Sequence, residues 1–124
     1  MTRDEFDTYC EAMKSTTHVV QWGGASVWKV GGKIFAICSN WGDGDHAKIG
    51  FKCSDLAFSV LSEIPGIIPA PYLARAKWVQ VQSPDGMSDQ NIKDHIDAAY
   101  DIIAAKLTKT QRATLGIVTS SKGI

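Results

Sequence analysis

The chain is short of cysteine: Cys10, Cys38 and Cys53 are the only three in 124 residues, and none forms a CxxC pair. An odd, widely spaced set excludes a complete disulfide framework and favours free thiols in a reducing cytoplasm. Cys38 and Cys53 fall in strand-like runs, where a thiol serves as a small apolar filler. Long apolar runs are missing, because Gly, Pro or a charged residue interrupts each one, so no segment reads as a membrane span. The opening "MTRDEFDTYC" lacks the basic start and apolar stretch of a signal peptide. An excess of one charge is missing too: 13 Lys and Arg balance 13 Asp and Glu. That balance argues against simple coating by nucleic acid, which usually leaves a basic excess.

Catalytic and metal motifs are equally scarce. His18, His46 and His95 have no HxxxH or HxH spacing. "DGDH" (43–46) offers Asp43, Asp45 and His46, but lacks the late Glu and the ligand spacing of a calcium loop, and reads as a Gly-Asp connection. "GGK" (31–33) lacks a Walker-type loop before a helix and reads as a hairpin turn. No metal, cofactor or catalytic residue is assigned, and the chain reads as non-catalytic.

What is there is an ordinary globular composition, 44% hydrophobic and 21% charged. The length suits one domain, expected over 1–116, with 117–124 as a polar tail. Charge is blocked rather than mixed. Residues 85–101 set five aspartates against Lys93, while 14–53 set Lys14, Lys29, Lys33, Lys48 and Lys52 against Asp43 and Asp45.

Thr2 and Glu5 form a T-x-x-E capping box for a first helix burying Phe6, Cys10 and Met13. His18 to Gln21 reads as extended or loop. "SVWKVGGKIFAIC" is a hairpin around Gly31-Gly32, expected to pair Val30 with Lys33, Trp28 with Phe35 and Ser26 with Ile37. "AKIGFKC" alternates, with Ile49 and Phe51 inward and Lys48 and Lys52 outward. Ser54 caps a second helix offering Leu56, Ala57 or Phe58, Val60 and Leu61 for burial, and Pro65-Gly66 ends it. Pro69 and Pro71 confine the next stretch to a bent sheet edge, which feeds "KWVQVQ". "SPDG" (83–86) is a turn. Ser88 caps the longest helix, striped by Ile92, Ile96, Ala99, Tyr100, Ile103 and Leu107. From Thr108 the chain is polar and expected to be loosely held. The order is α-β3-α-β2-α, an α+β domain with a mostly antiparallel sheet.

"VWKVGGKIFAI", then "FKCSDLAFSVLSEIPGIIPAPYLARAKWVQV", then "IDAAYDIIAAKL" resemble the MmcQ/YjbR family. The resemblance runs from Met1 to about Gly116 and rests most on the Gly-Gly-Lys-x-Phe hairpin and the Pro-Ala-Pro-Tyr-Leu stretch. It implies a secretion-chaperone-like α/β fold of the order just given. It also implies DNA binding through a double-wing arrangement of hairpins, an implication that rests on shape, with no catalytic residues to carry over.

A nucleic-acid surface would need exposed cations and an aromatic platform. The candidates are Lys29, Lys33, Lys48, Lys52, Arg75 and Lys77, with Trp78 and Tyr72 as stacking rings. Carboxylates at Asp43 and Asp45 would oppose phosphate at a wing tip. The alternative is a protein-interaction or self-associating module that uses the edge around 66–75, where Ile67, Ile68, Tyr72 and Leu73 gather.

Overall fold

The computed structural model describes residues 1–42, 44, 46–83 and 86–117. Asp43, Asp45, the centre of the 83–86 turn and the tail from 118 lie outside the described residues.

Helix α1 (Arg3–Glu11) starts as its capping box dictates. Thr2 Oγ1 accepts from the Glu5 N–H at 3.1 Å, and the Glu5 carboxylate accepts from the Thr2 N–H at 2.8 Å. Four strands follow: β1 (Thr16–Gln21), β2 (Ala25–Val30), β3 (Lys33–Ser39) and β4 (Lys48–Lys52). Helix α2 (Asp55–Leu61) is capped by the Ser54 hydroxyl. Then come β5 (Ile67–Pro69), a 3-10 turn (Ala74–Ala76), β6 (Trp78–Val81), α3 (Asp89–Ala105) and α4 (Lys109–Leu115).

All strands pair antiparallel in one sheet of order β1-β2-β3-β4-β6-β5. The architecture is therefore α+β, as expected. The main core lies between one sheet face and the helices, where Trp28, Phe35, Phe51 and Val79 meet Phe6, Leu61 and the α3 stripe. Every stripe residue, Ile92 through Leu107, is buried, each large side chain contributing roughly 1.5–3 kcal/mol of transfer free energy. A second cluster on the other face joins Ala25, Val27, Ile37, Ala70 and Trp78. The chain from Ala70 to Lys77 covers that face.

Several expectations needed correction. Residues 16–21 form a full edge strand, for the β2 ladder orders a segment with little apolar alternation of its own. The hairpin keeps the Val30–Lys33 pair, but a bulge at Trp28/Lys29 shifts the register by one. Trp28 therefore faces Ala36, and Ser26 faces Cys38. Phe35, left out of the pairing, is buried in the main core. The polar stretch after Thr108 is helical, because Thr108 and Gln111 make a second capping box. On α2 only Leu61 is fully buried, while Leu56 and Val60 are 76% and 55% exposed. The bent edge piece is correct: β5 is three residues long, ends at Pro69 and flanks β6.

Candidate functional site

The second sheet face holds the most distinctive surface. β1 and β2 are joined by Trp22, Gly23 and Gly24, all at positive φ, which turns the Trp22 ring out. Trp41 follows β3, and Tyr72 follows Pro71 in the cover segment. Their rings meet in sequence, Trp22 to Trp41 at 6.2 Å and Trp41 to Tyr72 edge-on at 6.3 Å between centroids. The Trp41 indole N–H donates to the Trp22 carbonyl at 3.4 Å. With Gly42, Pro71 and Leu73 the three rings wall an open cleft of about 690 Å³.

Two of these rings sit on strained backbone. Trp22 has φ 53° and Tyr72 has φ 68°. A bulky L-residue in the left-handed region costs about 1–2 kcal/mol. Tyr72 gains little burial in return, since it is 95% exposed. Strain at an exposed aromatic is the pattern expected of a ligand-contacting position.

The far end of the same face carries Lys52. Lys48, Gly50 and Lys52 alternate onto it, so the face runs about 13 Å from Lys48 to Lys52. Lys48 marks the cleft end: a Cβ added to Gly42 would lie 3.7 Å from its Cε. At the other end the Lys52 ammonium donates to the Ala76 carbonyl. Partial burial, then the neighbouring Lys106 and Lys77 charges, hold its pKa below the ordinary lysine value, against Asp55 and Cys53. Lys77, itself at φ 64°, places its ammonium 5.0 Å from the Phe58 ring centroid. Arg75 is exposed on the 3-10 turn beside Ala76.

The structure thus brings together Lys52, Lys77 and the adjacent Arg75, and puts Tyr72 on the cleft wall. Lys33 is exposed and Lys29 half-buried at the β2–β3 hairpin end. Two candidates are removed from the surface. Lys48 is 1% exposed, its ammonium donating to the Gly44 carbonyl at 3.0 Å. Trp78 is 4% exposed beneath the cover segment and forms part of the second cluster. Both point away from the main core as alternation requires; what alternation does not reveal is that the cover segment and the loop after β3 bury that outer face. Among the histidines, His46 hydrogen-bonds the Gln82 carbonyl, and His95 stacks on Phe51 at 5.2 Å. Burial lowers the His95 pKa from the ordinary value, against the charge of Asp94.

Comparison with protein families matches residues 11–102 to YjbR. The chain belongs to the YjbR family. Comparison with curated proteins gives no match. Among solved structures, Deinococcus radiodurans protein DR2400, described as a DUF419 domain, superposes with a TM-score of 0.84 at 20% identity, over 98% of this chain and 93% of that one. A Pseudomonas syringae protein superposes with a TM-score of 0.69 at 20% identity, over 83% and 99%. At such identity these likenesses establish the fold alone.

In this YjbR chain, Trp22, Trp41 and Lys106 escaped notice in the sequence. Trp22 follows a strand read as extended or loop, and Trp41 lies in a connection with no periodicity. A signal was present for Trp22, since "WGG" marks a tight turn led by an aromatic residue.

Proposed function

We propose that this chain is a non-catalytic, cytoplasmic DNA-binding protein that stacks unpaired bases in the Trp22–Trp41–Tyr72 cleft. The backbone of the strand runs toward Lys52, Lys77, Arg75 and Lys106. The observation that carries this reading is an open, three-ring cleft on the sheet face that Lys52 also reaches, with the Lys77 and Lys106 charges neighbouring Lys52. From Lys48, at the cleft end, to Lys52 the strand β4 spans about 13 Å, the length of roughly four nucleotides at duplex rise. Every base has a π-face, so ring stacking at about 1–3 kcal/mol per base needs no sequence readout. The DNA binding implied by the family resemblance points the same way. Three buried free thiols suit a reducing compartment.

The test is fluorescence anisotropy with labelled single-stranded and duplex DNA across a salt series. Micromolar binding that prefers the single strand is expected. Tyr72→Ala should weaken it about tenfold at every salt concentration, as removal of one stacking ring requires. Lys77→Glu/Lys106→Glu should instead flatten the salt dependence, by about 0.7 in log–log slope for each phosphate no longer neutralised. No binding to either form at low salt refutes the proposal.

A protein-interaction role is the second reading, favoured by one observation. Leu56 and Val60, four residues apart on α2, and Ile64 in the turn that follows are apolar and exposed by 76%, 55% and 38%. On this reading the partner meets α2 and its following turn rather than the β5 edge.

A further inference from the structure

An open sheet has two edges, and this chain treats them differently. At β5, Gly66 and Ala70 turn inward: the Gly66 carbonyl accepts from the Gln82 N–H, and the Ala70 N–H donates to the Trp78 carbonyl. Alternation then turns Ile67 and Pro69 outward. Ile67 spends its N–H on the Ile64 carbonyl at 3.1 Å, and Pro69 has none. The β5 edge therefore presents no donor from these outward residues. Such blunting is how a sheet avoids a further strand.

β1 has no such protection. It is six residues long, "TTHVVQ", with no Pro, Gly, Lys, Asp or Glu. Alternate residues turn both backbone groups away from β2. Among the described residues, no backbone hydrogen bond joins β1 to anything but β2. Val20, 54% exposed, stands on it, and Trp22, 50% exposed, follows it.

We infer that β1 pairs antiparallel with β1 of a second copy of this chain, about a two-fold axis through Val19, and doubles the sheet. A two-fold axis normal to the sheet keeps each face continuous, so opposed residues must share a face. His18 lies on the Trp28 side, stacked on that ring at 4.5 Å, and Val19 on the side of the second cluster. A register centred on Val19 sets Val19 against the partner's Val19, His18 against the partner's Val20, and Thr17 against the partner's Gln21. Apolar meets apolar at the axis, the His18 imidazole meets Val20 in the two flanking pairs, polar meets polar at the ends, and no carboxylate or ammonium of the strand opposes its like. This self-complementarity selects a second copy over an unrelated strand. One strand pair buries less than a standard interface, so the dimer is weak, with a Kd of about 10 μM to 1 mM.

Sedimentation of the full chain over a concentration series tests this. Wild type should shift from monomer to dimer by mass action. Thr17→Lys/Gln21→Lys, on a surface that need not repack, sets lysines opposite each other in both symmetric pairs and should weaken association by roughly tenfold. Mixing it with Thr17→Glu/Gln21→Glu should restore the dimer, an outcome that misfolded variants would not give. A wild type that stays monomeric to about 1 mM overturns the inference. So does a lysine variant that associates like wild type, or a loss that mixing does not restore.

Discussion

Tyr72 offers a test of the strain argument that needs no ligand. Its φ of 68° lies where a side chain costs about 1–2 kcal/mol and glycine costs nothing on that account. Glycine has its own penalty of about 0.4–1 kcal/mol, from the larger freedom it gives the unfolded chain. Burial hardly enters, because Tyr72 is 95% exposed and its one described ring partner is Trp41 at 6.3 Å. Tyr72→Ala and Tyr72→Gly both remove that ring, so their difference isolates the backbone. The left-handed cost exceeds the entropy penalty, and Tyr72→Gly should be the more stable by about 0.5–1 kcal/mol. At an ordinary exposed position alanine is at least as stable, so the sign itself is diagnostic. Urea denaturation followed by circular dichroism reads it as a higher midpoint for Tyr72→Gly at unchanged slope. An alanine variant as stable as the glycine one, or more so, would refute the strain and the argument for function built on it.

Three further outcomes follow. Gly31→Ala would place a Cβ 2.6 Å from both Leu107 methyl carbons at φ 58°, and should lower stability by about 1–3 kcal/mol in the same assay. Burial, with minor charge effects, pushes the Cys38 and Cys53 thiols up to about 11, from 9.0. The unfolded state loses these protons first, so stability should fall as pH rises from 9 toward 11, and alkylation at pH 8 should require urea. The lowered pKa of His95 works in the opposite sense: the unfolded imidazole takes its proton first, so this contribution to stability is lost as pH falls below 6.5. His95→Phe should flatten that acid limb in a pH series of melting temperatures; an unchanged limb would contradict the assignment.

Three of the four described helix starts were legible because Thr2, Ser54 and Ser88 are side-chain caps written at one position each, while the Thr108 cap of α4 was missed. The β5 edge was legible because proline cannot donate. The β2–β3 register was not: both hairpin faces are apolar, so no alternation pins it, and the bulge at Trp28/Lys29 goes unmarked. Site residues were harder still. Alternation assigns Lys48 and Trp78 to the outer face correctly, but only the tertiary path of residues 70–77 makes that face interior. Trp22 and Trp41 are far apart in sequence and meet only because β1 and β3 flank β2. α2 misled in the other direction, its apolar residues covering more of the helix than the core accepts.

The central claim is that unpaired bases stack in the aromatic cleft, and the four tryptophans test it directly. Their indole N–H signals can be followed by two-dimensional NMR as an unlabelled DNA single strand is added. Trp22 and Trp41 line the cleft, Trp28 is tied to the Asp7 carboxylate at 2.9 Å, and Trp78 is buried. The account predicts that the Trp22 and Trp41 signals move together and saturate, while Trp28 and Trp78 stay in place. Four stationary signals at high strand concentration, or movement confined to Trp28 or Trp78, would contradict it.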